Sequence, residues 1–96
     1  MKPSLALETN REAIRALVAK YQAGNPRVFG SVARGDDTDD SDIDILVDAM
    51  PNANLFKLGG LQYDLQALLG VKVDLVTPEE LSKRIKGAVM AEARAI

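Results

Sequence analysis

Ninety-six residues suffice for one small domain, residues 1–96, with a single sheet and packed helices, but not for a separate substrate-binding domain. The absence of cysteine and histidine excludes disulfides and thiolate zinc sites and removes the commonest general base, so any metal sits among oxygens, as Mg2+, Mn2+ or Ca2+ does. A net charge of -2 argues against gripping long nucleic acid, and the apolar residues form neither a ~20-residue membrane span nor a leader core in Met1–Leu5, which suggests a cytoplasmic protein.

Thr9 followed by Glu12 is a capping-box pattern, and Ile14, Leu17, Val18 and Tyr21 then recur at helical spacing until Gly24, which predicts a first helix. Arg27-Val28-Phe29 reads as a short strand running into Gly30-Ser31. Asp42 to Val47 reads as a second strand, with Ile43, Ile45 and Val47 on one face and Asp42, Asp44 and Leu46 on the other. Leu55, Leu58, Leu61, Leu65, Leu68 and Leu69 predict an amphipathic helix ending at Gly70, with Gly59-Gly60 as a weak spot inside it. Val71 to Val76 alternates as a third strand. Thr77-Pro78-Glu79-Glu80 repeats the capping box with proline at the first helical position, and Leu81, Ile85, Ala88 and Val89 continue it as a last helix. The sum is an α/β (α+β) fold: a small mixed sheet of at least three strands packed with helices, in the order α-β-(short α)-β-α-β-α.

Seven of the 14 acidic residues fall between Asp36 and Asp48, and they divide by context. Turn formation and solubility explain Asp36, Asp37, Asp39 and Asp40 in their polar stretch. Asp42 and Asp44 differ, because an apolar strand anchors them and points both to one side, about 6.6 Å apart at a rise of roughly 3.3 Å per residue. Like charges held so close repel, and a divalent cation relieves that repulsion. Asp74 lies in an otherwise apolar strand; it either pairs with Lys72 or, if the second and third strands are neighbours, joins Asp42 and Asp44 in a three-carboxylate site. Gly30-Ser31 gives a turn where backbone can approach an anion closely, with Ser31 starting a short helix whose N–H groups face phosphate. Arg34 either balances that phosphate or pairs with an acid of the following loop.

Gly30-Ser31, ten residues, then Asp42-x-Asp44, within the run GSVARGDDTDDSDIDILVD, closely resembles the signature of the DNA polymerase β-like nucleotidyltransferases, particularly their minimal, MntA-type branch. The resemblance implies that Gly30 and Ser31 hold the nucleotide's terminal phosphates, and Arg34 and Gly35 match the family's common continuation of that turn, which keeps Arg34 as a candidate phosphate contact. It implies further that Asp42 and Asp44 ligate two Mg2+ ions, that Asp74 is the third acid helping to activate the acceptor hydroxyl, and that ATP is the nucleotide donor. Minimal members of this kind accompany a small helical HEPN protein in a toxin-antitoxin pair, so the resemblance also implies an antitoxin that transfers AMP, or another NMP, to a hydroxyl of that partner. A second reading is a nucleotidyltransferase fold that neutralises its partner by contact without turnover. A calcium-binding loop fits badly, since no register starting at Asp36, Asp37 or Asp40 puts glycine sixth and glutamate twelfth.

Overall fold

The computed structural model describes residues 2–96; Met1, the first residue of the segment read above for a leader, lies outside them. The elements run α1 (Pro3–Thr9), α2 (Arg11–Lys20), β1 (Ala23–Phe29), α3 (Gly30–Arg34), β2 (Ile43–Ala49), α4 (Leu55–Leu69) and β3 (Val73–Val76), followed by a 3-10 turn (Pro78–Glu80), α5 (Lys83–Glu92) and β4 (Arg94–Ala95). The strands form one mixed sheet in the order β3-β2-β1-β4. β2 is parallel to β3 and antiparallel to β1, and β4 closes the other edge antiparallel to β1. This is the mixed α/β architecture that the alternating helical and strand patterns predict.

β2 sits between β1 and β3 because its sequence tolerates burial on both faces. Ile43, Ile45, Leu46 and Val47 are wholly buried. Ile43, Ile45 and Val47 share one apolar cluster with Ile14 and Val18 of α2 and with Leu61, Leu65 and Leu69 of α4. Each such side chain contributes about 1.5–3 kcal/mol when fully buried. Since side chains alternate along a strand, fixing 43, 45 and 47 in this core sends Asp44 and Leu46 to the opposite face. α4 runs through Gly59-Gly60 unbroken and ends at Gly70 as predicted, with φ 71°. Gly60 is needed for contact: a Cβ there would lie 2.8 Å from the Tyr21 ring.

Several boundaries depart from expectation. Thr9 does not cap a helix; it ends α1, and its hydroxyl donates back to the Leu5 and Ala6 carbonyls at 3.1 and 3.2 Å. The start of α1 has Pro3 in its first turn, and the Ser4 N–H donates to Asp37 Oδ2 at 2.9 Å, so a carboxylate distant in sequence serves this helix end. Gly24 belongs to β1 rather than to a helix stop. That strand is irregular between Gly24 and Arg27, where Pro26 has no N–H to give the ladder. The predicted last helix splits in two. The Glu80 carboxylate does accept the Thr77 N–H at 3.1 Å, as the capping pattern requires, but Leu81 turns extended (ψ 132°) and the helix restarts at Lys83. The apolar residues of its expected stripe form no core, because α5 buries none of its residues. β4 adds a strand beyond those expected, its two residues being too few to carry a periodic signal.

Candidate active site

Register builds the site. Phe29, the last residue of β1, pairs with Asp44, so the turn into α3 opens directly beside that carboxylate. Gly30 adopts φ +74°, and a Cβ on it would stand 2.2 Å from Asp44 Oδ2. Glycine is thus demanded twice, by the left-handed backbone and by the closeness of the carboxylate. Ser31 lies within α3 rather than capping it; the residue preceding the helix is Phe29.

On the other side of β2, Asp44 and Asp74 are Cα partners in the parallel ladder, as are Leu46 and Val76. The two acids therefore share a face of the sheet on adjacent strands. Burial pushes the Asp44 carboxyl up to about 6; the charge and hydrogen bond of Asp74 and the charge of Asp42 add to this, and Arg34 opposes it. Asp42 stands one residue before β2, with Oδ2 3.8 Å from Lys72 Nζ in a largely exposed pair. Lys72 thus pairs with Asp42, not with Asp74. Among the described residues no three acidic side chains gather closely enough to enclose one ion; Asp44 and Asp74 form the inner pair and Asp42 stands at the rim.

These residues fit a hard divalent cation. Every donor is a carboxylate oxygen, and a desolvated carboxylate facing two like charges gains most from a cation beside it. Asp44 and Asp74, side by side on neighbouring strands, are the pair placed to face such an ion, with Asp42 outside that pair.

Arg34 makes the loop-acid contact that its sequence position suggests and one that it does not announce. Its Nε donates to Asp36 at 3.3 Å, and NH1 donates to Glu92 Oε2 at 3.1 Å. Glu92, the last residue of α5, also accepts the Gly30 N–H on Oε1 at 2.6 Å. Nothing in the chain near Glu92 marks it, since it reaches the site only when β4 pairs with β1 and returns the end of α5 to the start of α3. The loop acids separate as well. Asp37 does more than confer solubility: it is 5% exposed and bound to α1. Asp39 and Asp40 lie exposed beside a turn closed by the Thr38 N–H donating to Ser41 Oγ at 2.8 Å.

A glycine-led turn set against paired acids on adjacent strands is the architecture of a nucleotidyl-transferring enzyme. The family model described as "Nucleotidyltransferase domain" matches residues 11–96, and the chain belongs to this family. A Thermococcus cleftensis relative named protein adenylyltransferase MntA is 46% identical over 65 residues, covering 68% of this chain and 66% of its own. A solved structure provisionally described as a minimal nucleotidyltransferase superposes with a TM-score of 0.87 at 40% identity, covering 97% of this chain and 95% of that one. A toxin-antitoxin crystal structure with AMP-PNP gives a TM-score of 0.76 at 26% identity, over 90% of this chain and 71% of that one.

Proposed function

We propose that this protein is a cytoplasmic, Mg2+-dependent adenylyltransferase that moves AMP from ATP to a hydroxyl group of a partner protein, as the antitoxin of a HEPN toxin-antitoxin pair. The observation that carries the reading is the side-by-side register of Asp44 and Asp74 next to the Gly30 turn. It is further supported by the adenylyltransferase name of a 46% identical relative and by a toxin-antitoxin neighbour crystallised with AMP-PNP.

The residues divide the work by position. The Gly30 N–H, the Ser31 hydroxyl and Arg34 hold the β- and γ-phosphates and orient the α-phosphorus towards the acids. Asp42 and Asp44 would hold the two Mg2+ ions, Asp44 together with its neighbour Asp74 and Asp42 from the rim. Bound magnesium supplies charge neutralisation of the phosphates and a lowered pKa at the attacking hydroxyl. The acceptor oxygen forms a bond to the α-phosphorus as the α–β anhydride bond breaks, so pyrophosphate leaves and the hydroxyl proton passes to Asp74. The acceptor in this reading is a separate protein.

Incubation with ATP, Mg2+ and the co-encoded HEPN protein should add one or more AMP units to that partner, read by intact mass, and the double change Asp42→Asn with Asp44→Asn should abolish the addition. An unmodified partner in the wild-type reaction would overturn the reading. Neutralisation of the toxin that survives the double change would assign the protein to inhibition by contact instead.

A further inference from the structure

Glu92 occupies two of the three groups that the proposed function assigns to phosphate, the Gly30 N–H and Arg34. One carboxylate oxygen takes the Gly30 N–H at 2.6 Å and the other takes the Arg34 guanidinium at 3.1 Å. A carboxylate with each oxygen on a separate donor presents two bonded anionic oxygens, as a phosphate does. The Gly30 N–H and then Arg34 hold the Glu92 carboxyl below its ordinary value, so it is anionic at neutral pH. Glu92 is also mounted on an element that can yield. α5 itself buries no residue, whereas the chain behind it is anchored by the pairing of Arg94 and Ala95 with β1 and by the Ile96 N–H donating to the Pro26 carbonyl at 2.9 Å. Arg11 and Arg15 donating to the Ile96 carbonyl and burial of the Ile96 side chain in the core add to that anchor, so the part free to move is α5 and not the strand after it. Elements with little buried surface open at low cost.

We propose that Glu92 is an internal plug, seated on Gly30 and Arg34 in the free protein and displaced by the phosphates of the incoming nucleotide. The inference rests on the reading of that turn as the phosphate site. Arg34 already serves two carboxylates, but the Gly30 amide has one N–H and Glu92 takes it at 2.6 Å, so a phosphate oxygen on that N–H and Glu92 seating exclude each other. The exclusion lowers apparent nucleotide affinity by the fraction of molecules with the plug out. It also links nucleotide binding to release of α5, whose start carries the basic residues Lys83, Arg84 and Lys86.

The test measures Mg2+-AMP-PNP affinity by calorimetry for wild type, Glu92→Gln and Glu92→Ala. Glutamine keeps an acceptor for Gly30 but loses the charge, whereas alanine loses both. Affinity should rise in the order wild type, glutamine, alanine; a plug seated nine-tenths of the time implies a gain of about tenfold on full removal. In parallel, amide hydrogen exchange of the wild-type protein should quicken across residues 83–92 when AMP-PNP is added, a readout that needs no variant to fold. Equal or weaker binding by folded variants, or unchanged exchange in α5 at saturating AMP-PNP, overturns the plug while leaving the phosphate site intact. Absence of AMP-PNP binding in wild type and variants alike would remove the phosphate-site reading, and the plug with it.

Discussion

At Asp44 two demands oppose each other. Its carboxyl is raised from 3.8 to about 6 by burial and by its acidic neighbours, so between those pH values the folded protein binds more protons there than the unfolded chain does. The stability this group contributes is fully present below about 3.8 and is lost as pH rises through about 6. Each pH unit across that interval is worth about 1.4 kcal/mol, and after an allowance for solvent screening the change is about 1–3 kcal/mol. Asp44→Asn should therefore be the more stable protein at pH 7.5 and lose its advantage near pH 4, measured as the difference between the two urea-unfolding curves across that range, while transferring no nucleotide. Gly30→Ala should do the opposite. The alanine faces a left-handed backbone costing about 1–2 kcal/mol and a Cβ 2.2 Å from Asp44 Oδ2. It should lower the urea midpoint and weaken Mg2+-AMP-PNP binding by calorimetry, since relief comes only by moving the carboxylate or the turn. The pairing of glycine turn with downstream aspartates is legible in the residues, because the backbone's need for glycine and the period of two along a strand are local. The raised pKa of Asp44 is not, since burial and the nearness of Asp74 belong to the packed sheet.

At the level of elements, α4 carries a sharp contrast between its two faces. Leu65 is wholly buried in the core, whereas Phe56 is 93% exposed near the same helix's start. Leu65→Ala should cost about 2–5 kcal/mol through lost burial and a cavity, and Phe56→Ser should stay within about 0.5 kcal/mol of wild type; chemical denaturation of both variants checks the pair. The leucine spacing announces this helix and its end at Gly70, because periodicity reports which residues one surface buries. The same signal misleads at the C-terminal side, where Leu81, Ile85, Ala88 and Val89 are helically spaced but Ile85 is 47% exposed and α5 has no core of its own. At the N-terminal side the Thr9–Glu12 pattern matches a capping box by composition, yet Thr9 finishes one helix instead of starting the next. A cap motif states which hydrogen bonds a chain can make locally, whereas the start of α1 is served by Asp37, a loop carboxylate 33 positions away that accepts the Ser4 N–H.

Across the whole molecule, the sheet order β3-β2-β1-β4 brings parts from residues 30, 44, 74 and 92 to one end of β2. Ligand binding there should stabilise the entire fold. At a hundredfold excess over Kd, Mg2+-AMP-PNP should contribute about 2.7 kcal/mol, a rise in Tm on the order of 10 °C for a chain of this size. Thermal unfolding with and without the ligand checks this, and Asp42→Asn with Asp44→Asn should remove the rise. Residue order alone suffices for the helices and strands with strong apolar periodicity, for the glycine turn, and for the two acids that lead into β2 on a common face, because each rests on geometry repeated within a few residues. Packing of the sheet was needed to stand Asp74 beside Asp44 while Lys72 turns to Asp42, to bury Asp37, and to close Glu92 on Gly30 from 62 positions away. Such contacts depend on strand order and on the return of the chain through β4, which no short-range pattern of residue types encodes.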